Sequence, residues 1–355
     1  MLPNKISKQV LTIGCEYHHP KGGVAQVMYN YERYVFPLFK CIINSGSGNK
    51  LTKLLKAIEA WLQMGVRLLV DRDIRIVHIH TASYNSFKRS AWYVKMGKLM
   101  GRKVILHIHG GGFKEYYATN PQWITSVLDK CDVIITLSVS WKQFYQSITC
   151  CPHIFIVENI ISPPVLKQVG KSDDRFHLLF LGLVDRQKGI FDLLETVHEY
   201  IEVFRNKLVL HIGGNGQIYI LREMIAQYEL NDIVTYEGFV SGARKTDLLL
   251  GCDAFILPSY TEGLPVSILE AMSYGKPILS TPVGGIPEVV EQNVNGILFQ
   301  PGDKKAMIEA IELIMNDEKK RTDMGQKSHE RMKPFLPENV ERQLDSIYRK
   351  IQKSV

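Results

Sequence analysis

Short apolar runs alternate with amphipathic stretches along the whole chain. In the first half the runs predict buried strands at 10–15, 74–80, 103–107, 133–137 and 154–157. In the second half they predict strands at 176–181, 208–213, 234–239, 254–257 and 278–280. Helical spacing of apolar residues places helices at 25–33, 50–70, 86–100, from 140, 190–200, 247–252, from about Pro265, and 304–315, with a last segment at 339–352. Strands alternating with helices indicate a doubly wound parallel sheet in each half. A polar, Pro-containing stretch from Ser162 to Asp174 reads as the linker, giving domains at 1–165 and 172–335 and a terminal helix at 336–355.

The most informative stretch runs from Asp253 to Met272. The apolar run 254–257 is bounded by Pro258, a turn-rich loop follows, and Pro265 suits a first helical turn. Glu262 then falls in the loop and Glu270 in the second turn of the helix. Two carboxylates that accept from hydroxyls flank a helix N-terminus, which attracts an anion. Hydroxyls plus phosphate describe a sugar nucleotide. A single Glu on a helix is ordinarily just solvated, but Pro-Ser, Glu-Gly-Leu-Pro and a second Glu eight positions on form a long pattern.

That pattern resembles the signature of retaining GT-B glycosyltransferases of family 4. The resemblance continues through Tyr274-Gly275-Lys276-Pro277 and Val283-Gly284-Gly285-Ile286-Pro287-Glu288 and covers most of the chain. It implies an α/β GT-B fold: two facing Rossmann-like domains with an interdomain cleft. The first domain would lie on the acceptor side, the second would bind the nucleotide sugar, and the last helix would cross back to the first.

Other motifs fit the same expectation. Gly22 and Gly23 follow the first strand, where a backbone without side chains approaches a ligand closely; in the family a Gly-Gly pair here faces the donor diphosphate or the acceptor. His109 opens a triple-glycine loop at the end of the 103–107 strand, and the matching family histidine contacts the donor sugar; His107 is placed in the core. Lys188-Gly189 matches the family's phosphate-binding pair, a cation where the departing diphosphate gathers charge. Leu183 stands where the family usually has Arg, and Arg186 is the nearby substitute cation. Gly214 marks another ligand edge. Glu270 would hold the ribose and Glu262 the donor-sugar hydroxyls. The N–H groups of Gly263 and Leu264, with Lys188 and Arg186, would hold the diphosphate. Asp71-Arg72-Asp73 precedes its strand, at the end away from ligands, and reads as a surface turn, so no metal and no cofactor is expected.

Charge and composition narrow the partners. Residues 1–170 carry 21 Lys and Arg against 9 Asp and Glu, a balance of +12 within a whole-chain +7. A basic first half suits an anionic partner such as a membrane surface or a lipid-diphosphate-linked glycan, with peripheral contact through that domain; a protein or a free sugar stays open as acceptor. The 50–70 helix interleaves Lys50, Lys53 and Lys56 with its apolar residues; core packing is its ordinary reading and membrane contact the sharper one. Six scattered cysteines and an N-terminus without an apolar leader suggest a reducing, cytoplasmic setting. The sequence therefore points to a metal-independent, retaining transferase working by front-face attack in surface-polysaccharide assembly. Rival readings are a sugar-nucleotide epimerase of the same architecture and a basic nucleic-acid-binding protein. The latter would need exposed aromatics on its basic face, whereas Tyr116, Tyr117 and Trp123 are expected to line an acceptor site.

Overall fold

The computed structural model describes residues 1–46, 48–165 and 173–353. They divide into two units, Met1–Ser162 with Pro334–Val355, and Pro163–Lys333. The stretch from Ser162 to Asp174, expected as the linker, lies mostly outside the described residues.

The first unit holds β1 (Val10–Cys15), β2 (Lys40–Ser45), β3 (Ile76–Thr81), β4 (Lys103–Ile108), β5 (Val133–Thr136) and β6 (Ile154–Ile156). They form one parallel sheet in the order β2-β1-β3-β4-β5-β6. Its central strands are buried because helices cover both faces. One face presents Leu11, Ile13, Val77, Ile79, Val104 and Leu106 to the helices Lys50–Val70 and Asn85–Leu99. Asn49 starts the first of these, its side-chain oxygen accepting from the Thr52 N–H at 2.9 Å. The two helices lie close together, and the Tyr93 hydroxyl donates to the Ala57 carbonyl at 2.9 Å.

The other face is polar at its centre. Register pairs Thr12 with His78 and His80 with His107, so these residues share that face. The helix Gly23–Asn30, the π-turn Tyr31–Val35 that continues it, and the C-terminal helix Pro337–Lys353 cover it, with Tyr31 and Tyr348 buried against the histidines.

The second unit holds β7 (Phe176–Leu181), β8 (Leu208–Gly213), β9 (Val234–Gly238), β10 (Ala254–Leu257), β11 (Ile278–Ser280) and β12 (Gly296–Leu298). This sheet is also parallel, in the order β12-β11-β10-β7-β8-β9. The helices Ile190–Glu199, Val266–Ser273 and Lys304–Asn316 supply Leu193, Leu194, Leu269, Met272 and Ile311 to its core.

In each sheet the chain winds outward one way and then the other. The reversal falls between β1 and β3 in the first unit and between β7 and β10 in the second. Loops at the carboxyl ends of those strands diverge and leave a crevice, where open α/β sheets bind ligands.

The strands differ little from their expected spans. β2 and β12 carried too little apolar signal to be placed, and both are edge strands. The helix expected at 25–33 ends at Asn30, and the one expected at 247–252 runs over Gly242–Gly251.

Buried Asn30 ties the covering helix to the loop after β6. Its amide donates to the Ile160 carbonyl at 3.0 Å, and Ser162 Oγ donates to its side-chain oxygen at 3.1 Å. All four tryptophans lie in the first unit, so their fluorescence reports that unit alone. Asn30→Ala leaves a buried carbonyl without its donor and should lower the stability seen by tryptophan fluorescence in urea by about 1–3 kcal/mol.

Candidate active site

The reversal point of the second sheet brings two loops together. After β7 the chain turns through Arg186–Lys188, capped by Asp185, whose carboxylate accepts from the Lys188 N–H at 3.0 Å. After β10 comes the loop bearing Ser259 and Glu262. Lys188 Nζ meets Glu262 Oε1 at 2.5 Å, and Ser259 Oγ donates to the same oxygen at 2.9 Å. The Glu262 side chain is only 8% exposed and that of Lys188 25%, so this ion pair is shielded from water. An anionic ligand entering here finds a lysine, and a hydroxyl-rich one finds a carboxylate, in one place.

Backbone geometry lets the loops approach this closely. Gly189 is left-handed at φ 68°, and a side chain there would strike the Pro258 carbonyl. Gly284, at φ 58°, lies against the Glu262 carbonyl in the same way. The next N–H, of Gly285, donates to the Gly263 carbonyl at 2.6 Å, pinning the Glu262 loop to the loop after β11.

The remaining expected residues of this unit fall into place individually. Pro265 caps the helix Val266–Ser273, Gly263 and Leu264 are buried just before it, and Glu270 lies on it. Glu270 Oε1 is held by Lys245 Nζ at 2.6 Å. Lys245 was not foreseen, because the helix that carries it begins five residues before its expected start. Arg186 is exposed on its turn, and Leu183 is exposed two residues after β7. Gly214 sits at the carboxyl end of β8, its N–H donating to the Gly238 carbonyl at 2.8 Å.

In the first unit Gly22 and Gly23 are exposed at the start of the helix that follows β1, on the ligand-side edge of the sheet. His109, just beyond β4, belongs to a stack of four imidazoles. Ring centroids are 4.6 Å apart for His78 and His80, 5.1 Å for His80 and His109, and 4.1 Å for His107 and His109. His109 Nε2 bonds His80 Nδ1 at 2.9 Å, so β3 sets the orientation of the expected site histidine. His78 Nδ1 bonds the Tyr348 hydroxyl at 2.7 Å, and its Nε2 meets His107 Nδ1 at 3.3 Å.

Burial is the chief reason all four stay neutral. It pushes His78 down to about 3 and His109 down to about 4, a hydrogen bond that the His109 ring donates to Asn159 partly opposing the latter shift, and holds His80 and His107 well below the usual imidazole range. Nitrogens of His78, His80 and His107 come within 4.8 Å of one another. Stacked rings, however, aim their in-plane lone pairs side by side rather than at one point, and both His78 nitrogens already have partners.

Asp71, the first of the two acids before β3, is paired with Lys40 at 2.6 Å. Tyr116 is a correction: expected to line an acceptor site, it is buried against Phe87 and Phe113, while Tyr117 and Trp123 pack partly buried on the same core. None of the three forms an exposed stacking platform.

Residues 164–331 match the family described as glycosyl transferases group 1. This match covers just under half of the chain. The group 1 region contains Lys188, Glu262 and Glu270 with all of β7 to β12. The chain is similar to a putative colanic acid biosynthesis glycosyltransferase, WcaL, of Escherichia coli, at 32% identity over 67% of this chain and 60% of that one. It is also 28% identical to an uncharacterized glycosyltransferase of Methanocaldococcus jannaschii, over 54% of this chain and 53% of that one. The chain thus spans little more than half the length of these relatives. Among solved structures it resembles HepE of Anabaena, crystallised with UDP and glucose, with a TM-score of 0.76 at 17% identity over 96% of this chain and 98% of that one. The fold is α/β, of the GT-B type.

The neutral histidine stack makes the first unit sensitive to acid. Below about pH 6.5 the unfolded chain binds protons that the folded imidazoles do not take up, His109 only at about pH 4 and the others lower or well below their usual range. Stability of this unit should therefore fall as pH drops through that window, by about 1.4 kcal/mol per pH unit for each histidine. Urea titrations read by tryptophan fluorescence at several pH values check this, and His107→Gln should flatten the slope by about one proton.

Proposed function

We propose that the chain is a retaining, metal-independent glycosyltransferase. It moves a sugar from a nucleotide-sugar donor to a glycan acceptor, lipid-linked, in surface-polysaccharide biosynthesis. The observation that carries this reading is the shielded Lys188–Glu262 pair at the reversal point of the second sheet, inside the group 1 region. Relatives named for colanic and teichuronic acid biosynthesis support the polysaccharide setting. The UDP and glucose bound by HepE support the donor class.

In this reading the donor enters between partners that already hold one another. Lys188, with Arg186 beside it, turns to the diphosphate and supplies the positive charge that stabilises the departing nucleotide. Glu262, released from its lysine, accepts from the sugar hydroxyls, and Glu270 accepts from the ribose. Backbone N–H groups at Gly263 and Leu264 complete the phosphate contacts, and Gly214 lets the backbone approach the nucleotide. On the first unit, Gly22, Gly23 and His109 are the ligand contacts. A neutral His109 suits a hydrogen bond to a sugar hydroxyl, because it adds no charge. Glu262, held by Ser259 and accepting from the sugar hydroxyls, is not set up as a nucleophile, which favours front-face attack with the leaving phosphate taking the proton.

The positive balance of the first half supports peripheral contact with an anionic membrane on the cytoplasmic side, where nucleotide sugars are made. Among the described residues no helix is long and apolar enough to cross a membrane. An epimerase of this architecture gains no support from relatives named as glycosyltransferases. A nucleic-acid role gains none from Tyr116, Tyr117 and Trp123, which are buried or half-buried.

Incubation with a panel of nucleotide sugars and membrane lipid extract should release nucleoside diphosphate. The release should not depend on added metal, and the product should keep the donor's anomeric configuration. Glu262→Ala and Lys188→Ala should each lower the rate at least about a hundredfold. Release unchanged in both variants, or donor converted to its epimer with no acceptor present, would contradict this reading.

A further inference from the structure

The helix Lys50–Val70 has two apolar faces, and only one of them is used by the fold. Ala57, Ala60, Met64 and Leu68 form the narrow buried face. Leu51, Leu55, Ile58, Leu62, Val66 and Leu69 form a second stripe, spaced four, three, four, four and three residues apart, and therefore aligned along one side. Every one of them is exposed, from 42% at Ile58 to 71% at Leu69. A surface helix needs one apolar face for its core, and a continuous second one marks an interaction surface. Twenty-one residues extend this stripe over about 30 Å.

The neighbouring helix Asn85–Leu99 adds to the surface. Lys88, Trp92, Lys95 and Leu99 follow the same spacing on its exposed side, with Leu99 84% exposed. Charge then selects the occupant. Lys88 and Lys95 flank Trp92 on the exposed side of the second helix, and the two helices together carry a single acid, Glu59. A second copy docking symmetrically would bring like charges together around the apolar stripe, and stable protein interfaces are depleted in lysine. An anionic leaflet matches both features. Leucines enter the acyl boundary, tryptophan suits the interfacial depth, and long lysine side chains reach back to the headgroups.

We infer that these two helices form the docking surface by which the chain lies on a bilayer with anionic headgroups. The inference rests on the membrane-peripheral reading above and names the surface responsible. The Lys50–Val70 helix lies along the membrane plane with its exposed stripe buried, while Lys88 and Lys95 of the neighbouring helix contact lipid phosphates.

Flotation with vesicles tests this separately from catalysis. The native chain should bind vesicles of phosphatidylcholine mixed with phosphatidylglycerol at least about tenfold more tightly than pure phosphatidylcholine. The triple variant Leu51→Ser, Leu55→Ser, Leu62→Ser should lose at least about tenfold in binding while keeping its circular dichroism and its release of nucleoside diphosphate with a soluble acceptor. The variant Lys88→Gln, Lys95→Gln should lose the preference for anionic vesicles. The inference is overturned if native chain binds neither vesicle, or if the serine variant binds as well as native. A native dimer in sedimentation that the serine variant abolishes, with no vesicle binding by either, would assign the surface to a second copy instead. Vesicle binding with no transfer to any acceptor would count against the transferase reading alone.

Discussion

The second unit depends on a carboxylate held against a lysine where its sheet changes winding direction. Removing a charge from water is expensive, and a largely buried Glu262 is tolerable only with Lys188 and Ser259 on it. To bring those groups together, Gly189 and Gly284 let backbone run against backbone where a side chain would collide. The same reversal that opens the crevice delivers both loops to it, so fold and site have a common origin. The pair is poised for exchange, since a phosphate satisfies the lysine and a hydroxyl satisfies the carboxylate.

The first unit handles polarity differently. One face of its sheet carries a band of stacked, neutral histidines under two tyrosines, and the other is apolar. Hydrogen bonds from ring to ring link His80 to His109, so the orientation of the exposed end is fixed from within the sheet. Desolvation prevents charging, and the stack acts as a rigid polar spine rather than as a set of cations.

Much of this was legible in the sequence, for identifiable reasons. Strands buried on both faces, such as Phe176–Leu181, announce themselves as continuous apolar runs. The loops that carry Lys188 and Glu262 announce themselves through glycine and proline. Two of the edge strands did not: Lys40–Ser45 has polar residues at both ends, and Gly296–Leu298 has only three residues. Lys245 was missed because Arg244 and Lys245 begin their helix on its polar side, ahead of the apolar residues that signalled it. Periodicity located the Lys50–Val70 helix to the residue but could not say which of its apolar stripes faces inward. Ala57, Ala60, Met64 and Leu68 took the core, and the Leu51–Leu69 stripe was left outside. Nor does a sequence reveal that His80 bonds His109, which follows only from strand register.

The most direct test is whether Lys188 and Glu262 act as one unit. Hydrogen exchange across residues 254–273, read as local opening free energy, can be compared in the native chain, Lys188→Met, Glu262→Gln and the double variant. The account predicts that the two single losses exceed the double loss, with a coupling of about 1–3 kcal/mol. Additivity within about 0.5 kcal/mol would mean that the two side chains are neighbours without being partners, and would contradict it.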